Sequence, residues 1–453
     1  MIDHRLPVLD RRRAGVLLHM GSLEAPLGRG GRAFIDWLAE AGFGVWQFLP
    51  AGPTGTDGSP YFARSDFAGN PAFIDPAEPA EALPEEHTEF AQATWDWLEG
   101  YALFEVLSGT YEGVPWWSWP QELRDRDPAA LDAIRRAQAA ELERVRLEQF
   151  AFFVQWRRLR EYARSRGVRL FGDLPFYVGP MSAETWMYRE QFQLDAAGRP
   201  TAIAGVPPDY FSATGQVWGN PLYDWQTLER ERFTYWRARV AAQLARVDLL
   251  RIDHFRAFAA HWAVPAAAPD ARGGRWCPTP GRALLQMLRD ELGELPIVAE
   301  DLGMITEDVV ALRKDFGLAG MRVLQFGFDG SPDNPHLPRQ IGADCVVYTG
   351  THDNDTTLGW YRSLSAPARE YVDRVMGLGP GAMPEALVHA ALESAAILAV
   401  IPVQDLLGLG AEARLNTPGT QGPQNWRWRL PGGALTAPLA QHWARINWMC
   451  ERA

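Results

Sequence analysis

The chain of 453 residues is long enough for one large barrel or for two to three ordinary domains, and 47% hydrophobic and 22% charged residues are typical of a globular protein. A net charge of −12 argues against nucleic acid and anionic membranes as partners. No apolar run reaches the roughly 18 residues of a membrane helix, and the N-terminal residues lack the apolar core of a signal peptide. Three dispersed cysteines without a CxxC pair disfavour disulfides or structural zinc and predict a cytoplasmic location.

Eight apolar runs, each ending in polar residues, recur along the chain. They are GVLLHM (15–20), GVWQFLP (44–50), VRLFGDLPFY (168–177), LLRIDHF (249–255), IVAEDLG (297–303), MRVLQFGF (321–328), VVYTGTHDND (346–355) and ILAVIPVQDLLG (397–408). Helical patterns lie between several of them, around 282–292, 306–316 and 366–375. Apolar strands that alternate with helices are typical of parallel strands covered on both faces. Eight of them predict an α/β fold, the (β/α)8 TIM barrel. A doubly wound sheet is the alternative, but no GxGxxG follows the first strand.

Two intervals between predicted strands are too long for one helix. We therefore expect a single catalytic barrel over 1–453 with large insertions after strands 2 and 3. Residues 51–167 would form a loop and helical subdomain, with a helix over about 129–166. Residues 178–245 would form a subdomain that shapes the binding cleft, in which residues 202–223 predict an ordered loop with little regular structure. Both insertions leave the C-terminal ends of strands, where barrel active sites lie.

The insertions are rich in aromatic residues, and the chain holds 19 tryptophans. The cluster VPWWSWP (114–120) has two interpretations, core packing or stacking against sugar rings, and composition does not separate them. In the second insertion, Tyr210, Phe211 and Trp218 could cover a binding cleft.

Polar side chains gather at the C-terminal ends of the predicted strands. They are Asp173, Asp253, Glu300 with Asp301, and His352 with Asp353 and Asp355. Because residues i and i+2 of a strand share a face, Arg251 and Asp253 should point together at the barrel mouth. For one strand alone, structural ion pairs would be the better interpretation. Carboxylates at the same end of several strands favour catalysis.

Paired carboxylates suit glycosidic chemistry, in which one group attacks the anomeric carbon and another donates a proton. Arg251 would keep Asp253 ionised for attack. The largely apolar segment PIVAEDL would raise the pKa of Glu300, as a general acid requires.

A metal-dependent barrel hydrolase uses the same residue types. It commonly has an HxH motif after the first strand, where this chain has His19 alone. The three histidines His19, His254 and His352 could still converge in space, so this alternative stays open. We expect no metal and no cofactor.

Seven motifs stand in a fixed order between about residues 55 and 420. They are GTDGSPYFARSDFAGNP (55–71), FGDLPFYV (171–178), GVPPDYFSATGQVWGNPLY (205–223), LLRIDHFR (249–256), VAEDLG (298–303), YTGTHDNDT (348–356) and ARLNTPGT (413–420). Together they resemble the 4-α-glucanotransferases of the amylomaltase (disproportionating enzyme) type, glycoside hydrolase family 77. The resemblance implies a (β/α)8 barrel with insertions and no separate C-terminal β-domain.

The resemblance also implies roles for individual residues. Asp253 matches the nucleophile, Glu300 the general acid/base and Asp353 the carboxylate that stabilises the transition state. The residues that match substrate-binding positions are Arg251, His352, Tyr61, Asp173, Trp218, Asn220 and Asn416. The implied reaction is a retaining transfer of α-1,4-glucan segments from a maltooligosaccharide donor to the 4-OH of an acceptor glucan or glucose. The alternatives are an α-amylase-like retaining hydrolase and a glucan-binding protein on an inactive barrel.

Overall fold

The computed structural model describes residues 7–78, 84–208, 212–379, 381–420 and 422–453. Its strands are β1 (Arg13–Leu17), β2 (Val45–Gln47), β3 (Arg169–Leu174), β4 (Ala202–Val206), β5 (Gln216–Pro221), β6 (Leu249–Ile252), β7 (Ala260–Pro265), β8 (Arg275–Pro278), β9 (Ile297–Ala299), β10 (Gly320–Val323), β11 (Cys345–Tyr348) and β12 (Leu398–Pro402). Its α-helices are α1 (Arg29–Glu40), α2 (Pro84–Thr94), α3 (Leu98–Thr110), α4 (Gln121–Arg124), α5 (Pro128–Ala137), α6 (Ala139–Ser165), α7 (Ala183–Met187), α8 (Trp225–Arg230), α9 (Thr234–Arg246), α10 (Gly281–Leu292), α11 (Glu307–Asp315), α12 (Thr357–Ser363), α13 (Ala366–Met376), α14 (Glu385–Glu393), α15 (Val403–Leu406) and α16 (Ala437–Met449).

Eight strands form one parallel sheet in the order β10-β11-β12-β1-β2-β3-β6-β9. The two ends of this order meet where Val298 of β9 pairs with Ala319, just before β10, in a parallel bridge. The N–H of Ala299 donates to the carbonyl of Ala319 at 2.8 Å. The sheet therefore curls into a barrel, and the predicted (β/α)8 architecture is confirmed.

Alternation along the strands separates the barrel interior from the layer between strands and helices. In β12, Leu398 and Val400 belong to an inner apolar cluster to which all eight barrel strands contribute, whereas Ala399 and Ile401 pack outward. Both kinds of position are apolar because both faces of a parallel sheet are covered. This is why the strands read as continuous apolar runs in the sequence.

The connection between β2 and β3 carries helices α2 to α6. The helix predicted over 129–166 divides at Gln138, where α5 ends and α6 begins. In the tryptophan cluster, Trp116 and Trp119 are buried in the core, and the indole N–H of Trp116 donates to the carbonyl of Pro180 at 3.0 Å. The sugar-stacking interpretation is therefore wrong for these two residues, because the rings pack the connection together.

The connections after β3 and β6 share a second sheet. Strands β4, β5, β7 and β8 form it in the order β5-β4-β7-β8, with antiparallel pairs. The prediction of little regular structure over 202–223 is wrong. Strand β4 pairs with β7, which lies beyond the next barrel strand, β6, along the chain, and the local sequence around β4 does not reveal so distant a partner. Tyr210 and Phe211 lie outside the described residues. The division of 51–167 and 178–245 into inserted subdomains stays a prediction.

The described chain after β12 contains no strand and ends in helix α16. The side-chain amide of Asn447 on α16 donates to the carbonyl of Ala41 at the end of α1, at 2.9 Å. The last helix thus closes the outer layer of the barrel. Across the described ranges, no helix is both long enough and apolar enough to cross a membrane.

Candidate active site

The barrel register places the charged residues of neighbouring strands side by side. Asp173 in β3 lies opposite Arg251 in β6, and Arg251 lies opposite Val298 in β9. Arg251 follows Leu249 of the inner cluster by two residues, so its side chain also faces the barrel interior. Asp253 and Glu300 come directly after β6 and β9. The carboxyl ends of these strands therefore meet at one mouth.

Arg251 is the centre of a hydrogen-bonded chain at this mouth. Its Nη1 donates to both carboxylate oxygens of Asp173 at 2.8 Å, and its Nη2 donates to Oδ1 of Asp253 at 2.7 Å. The side chains of Arg251 and Asp173 are 6% and 1% exposed, whereas that of Asp253 is 31% exposed. The buried carboxylate of Asp173 thus holds the guanidinium of Arg251 in place, and Arg251 in turn orients the more exposed carboxylate of Asp253.

Tyr61 joins this chain to the far side of the mouth. It lies in the short 3-10 helix Pro60–Phe62, whose start is capped by the side chain of Ser59. Its hydroxyl donates to Oδ2 of Asp173 at 2.7 Å, and its ring stacks on His352 with centroids 5.2 Å apart. Burial, together with the charge of Asp173, raises the pKa of Tyr61, so the hydroxyl remains a hydrogen-bond donor.

Glu300 is held by backbone N–H groups. The N–H of His254 donates to Oε2 at 2.7 Å and that of Leu302 to Oε1 at 3.0 Å. His254 has a φ of 51°, a left-handed conformation, directly after Asp253. Burial and the nearby charge of Asp253 raise the pKa of Glu300 to about 7, although both N–H groups favour the ionised form. The carboxyl group is therefore poised to give and take a proton near neutral pH.

Asp353 lies after β11 and is more exposed than Asp253. Its side chain is 45% exposed, and its Oδ1 lies 3.3 Å from Nε2 of His352. The side-chain amide of Asn416 donates to the same oxygen at 2.7 Å. Arg414 donates to the backbone carbonyl of Asp353 at 2.6 Å. The segment after β12 thus fixes Asp353 from above.

Trp218 and Asn220 come from β5. The Trp218 ring meets His254 edge to face with centroids 4.8 Å apart, and its indole N–H donates to Gln216 at 3.1 Å. Asn220 is buried, and its amide donates to the carbonyl of Val178 at 2.9 Å. Trp218 is therefore placed beside the loop that holds Glu300, whereas the amide N–H of Asn220 ties β5 to the segment after β3.

Two other residues of the polar cluster predicted from sequence have structural contacts. Asp301 is buried, pairs with Arg313 at 3.2 Å and accepts the N–H of Met321 at 2.7 Å. Oδ1 of Asp355 accepts the N–H of the next residue at 2.8 Å. The carboxylates of Asp301 and Asp355 therefore make structural contacts near the ends of β9 and β11.

The histidines that a metal site would need do not form one. In the part of the chain that the structure describes, no group of three or more His, Cys, Asp or Glu residues is arranged to hold a metal ion. His19 and His352 line one small cavity, whereas His254 packs with Tyr177 and Trp218.

Sequence reasoning missed Trp426 and Arg414. The Trp426 ring lies 6.0 Å from the rings of both Tyr61 and His352, with a φ of 64°. A tryptophan in the polar segment after the motif at 413–420 could have indicated this position. The left-handed backbone that aims its ring carries no sequence signal.

The sequence profile described as 4-alpha-glucanotransferase, that of glycoside hydrolase family 77, matches residues 18–86 and 78–436. The chain belongs to this family. A 4-alpha-glucanotransferase of Thermus thermophilus is 45% identical over 97% of this chain and 98% of its own length. One from Synechocystis is 40% identical, also over 97% and 98%.

Solved structures agree with this membership. The amylomaltase of Streptococcus agalactiae in complex with acarbose has a TM-score of 0.91 at 30% identity and covers 98% of this chain and 100% of its own. The amylomaltase of Corynebacterium glutamicum, at 18% identity, shares the fold with a TM-score of 0.77 over 97% of this chain and 76% of its own. The predicted class, a 4-alpha-glucanotransferase that transfers α-1,4-glucan segments, is confirmed. The α-amylase-like hydrolase is not favoured.

Proposed function

We propose that this 4-alpha-glucanotransferase takes a maltooligosaccharide as donor and passes its segment to the 4-OH of an acceptor glucan or glucose by retaining double displacement. Asp253 is the nucleophile, Glu300 the general acid/base and Asp353 the carboxylate that stabilises the transition state. The observation that carries the proposal is the pairing of two unlike carboxyl groups on adjacent strands. Arg251 donates to Asp253 at 2.7 Å, and burial raises the pKa of Glu300 to about 7.

In the first step, a carboxylate oxygen of Asp253 attacks C1 of the donor sugar. Arg251 holds Oδ1, so the attack comes from Oδ2. The bond from C1 to the glycosidic oxygen breaks, and Glu300 gives its proton to that oxygen. The products of this step are a covalent glucosyl–Asp253 ester and a shortened glucan.

In the second step, the ionised Glu300 removes the proton from the 4-OH of the acceptor. The acceptor oxygen attacks C1, and Asp253 leaves as a carboxylate. Two displacements at C1 restore the α configuration, so the new bond is again α-1,4.

Several of the other predicted residues bind sugar around these two carboxyl groups, whereas Asp173 and Asn220 are buried and hold neighbouring groups in place. Asp353 and His352, whose Oδ1 and Nε2 lie 3.3 Å apart, contact the hydroxyls of the reacting sugar. Tyr61 and Trp218 offer ring faces to neighbouring sugars, and Asn416 orients Asp353. Ring faces and carboxylates together suit a polyhydroxylated ligand with apolar C–H faces.

We also propose that the enzyme is located in the cytoplasm. The support is the set of unpaired cysteines Cys277, Cys345 and Cys450, since free thiols persist in a reducing compartment.

Incubation with maltotriose alone tests the proposal. We expect a ladder of shorter and longer maltooligosaccharides, because one molecule serves as donor and another as acceptor. Asp253→Asn should abolish the ladder, since the amide is near-isosteric but cannot attack C1. Loss of covalent attack should lower the rate by at least about a thousandfold, which corresponds to about 4 kcal/mol of barrier.

Asp290→Asn is the matched control, because Asp290 is an exposed carboxylate on α10. This variant should transfer like the wild type. An Asp253→Asn enzyme that keeps a tenth of the activity would rule out the nucleophile assignment. Glucose alone as the product would rule out transfer.

A further inference from the structure

Arg239 on α9 is a fully buried cation outside the carboxylate site. Its guanidinium is 0% exposed, and its nitrogens contact groups from two different connections of the barrel. Burying a charge in this way is costly unless every contact is well formed.

One end of the guanidinium holds the segment that carries Tyr61. Nε of Arg239 lies 2.7 Å from Oδ2 of Asp66, which follows Tyr61 by five residues. Asp66 also accepts the hydroxyl of Tyr235 at 3.0 Å, and its carbonyl accepts the amide of Gln243 at 2.8 Å. Three side chains of α9 therefore fix this segment through one residue.

The other end holds the residues directly after Asp173. Nη2 donates to the carbonyl of Pro175 at 2.6 Å, and Nη1 donates to that of Phe176 at 2.8 Å. The hydroxyl of Tyr223 donates to the same carbonyl of Phe176 at 2.8 Å. Pro175 is two residues beyond Asp173, so these contacts fix the position of Asp173 relative to the segment that carries Tyr61.

The two segments meet again at the site itself. The hydroxyl of Tyr61 reaches Asp173 at 2.7 Å, and Asp173 reaches Asp253 through Arg251. The separation of the two segments is thus set at two places, once in the site and once at Arg239. Hydrogen bonds weaken steeply with distance and angle, so a change in the separation of the two segments at Arg239 would also weaken the bond from Tyr61 to Asp173.

Glu184 packs against the same segment. It accepts the hydroxyl of Ser65 at 2.6 Å, and its Oε2 is buried with no hydrogen-bond partner among the residues that the structure describes. Burial and the charge of Asp66 raise the pKa of Glu184 to about 8. At neutral pH Glu184 is therefore neutral, and Asp66 keeps Arg239 as its charged partner.

We propose that Arg239 is a positioning residue for the transfer reaction. Clasped between Asp66 and the carbonyls of Pro175 and Phe176, it sets the Tyr61–Asp173 hydrogen bond and through it the direction of Asp253. This inference rests on the proposed role of Asp253 as nucleophile.

Arg239→Lys tests the proposal. Lysine keeps the positive charge but has one nitrogen in place of the guanidinium fork, so it cannot hold Asp66 and both carbonyls at once. With maltotriose as substrate, kcat should fall about tenfold or more, with little change in KM, because alignment of the nucleophile acts in the transition state.

A double-mutant cycle with Tyr61→Phe separates positioning from general structure. If Arg239 acts through Tyr61, then Arg239→Lys should lower kcat by less than about twofold when Tyr61 is already phenylalanine. Equal losses in both backgrounds would overturn the proposal, as would a folded Arg239→Lys enzyme with wild-type kcat. Should Arg239→Lys fail to fold, the neutral pair Asp66→Asn/Arg239→Met takes its place with the same expected outcomes.

Arg452→Lys is the matched control. Arg452 is as deeply buried and donates to the carbonyls of Arg13 and Ser394 at 2.8 Å, near the starts of β1 and β12 at the opposite end of the barrel. This variant should melt at a lower temperature with unchanged kcat. Asp253→Asn, assayed in parallel, distinguishes the two failures. An active Asp253→Asn enzyme refutes the proposed function. An inactive Asp253→Asn enzyme together with a normal Arg239→Lys enzyme refutes only the positioning role of Arg239.

Discussion

Raising the pH through about 7 should slow glucan transfer, because Glu300 must carry a proton when the donor bond breaks. Burial and the charge of Asp253 raise the pKa of Glu300 from an ordinary 4.5 to about 7. Each pH unit above this value lowers the protonated fraction about tenfold. Two units above it, kcat/KM for maltotriose should be about a hundredfold lower than on the plateau.

The assay is the initial rate of glucose release from maltotriose between about pH 5 and about pH 9. An α-maltotriosyl fluoride is the matched donor, since fluoride departs without a proton. The rate of fluoride release from this donor should not fall at high pH. A flat maltotriose profile up to about pH 9 would refute the assignment of Glu300 as acid. An equal decline for both donors would place the titrating group elsewhere.

Three further outcomes follow from the same geometry. Trp218→Ala should lower transfer more than hydrolysis, because an acceptor sugar that no longer stacks on the Trp218 ring competes less well with water. Equal loss of transfer and hydrolysis would exclude an acceptor-binding role for Trp218, as would a similar change in the control Trp448→Ala on the exposed surface of α16. A crystal structure with a bound glucan should place the Asp253 and Glu300 carboxyl groups about 5–5.5 Å apart, whereas a separation beyond about 8 Å would contradict a retaining mechanism. Glu184→Gln should flatten the pH dependence of stability. Between pH 4.5 and about 8, Glu184 keeps a proton in the folded protein that it has lost in the unfolded chain. The free energy of unfolding of the unchanged protein therefore falls with rising pH by up to about 1.4 kcal/mol per unit. Thermal melting across this range checks it, and an unchanged slope would contradict the raised pKa of Glu184.

The barrel could be predicted from the sequence because its strands are covered on both faces. All residues of β11 and β12 are buried, so each appears as an unbroken apolar run. The alternation of faces within a strand also predicted that Arg251 and Asp253 would point together, and their 2.7 Å contact agrees. Both features depend on local sequence, which is why they could be predicted.

Features that depend on distant partners could not be predicted in this way. The hairpin of β4 and β5 is completed by β7, some 60 residues along the chain from β4, across a barrel strand. The pairing of Arg239 with Asp66 spans a still longer separation and leaves no pattern in either segment. The ring position of Trp426 depends on a left-handed backbone at a residue that rarely adopts one.

Trapping of the covalent intermediate tests the central claim most directly. In a Glu300→Gln enzyme, α-maltotriosyl fluoride can still glycosylate Asp253, because fluoride needs no acid, but the second step lacks its base. Mass spectrometry of the digested protein should find one maltotriosyl group on the peptide that contains Asp253. A sugar on another carboxylate, or fluoride release without any labelled peptide, would contradict the account.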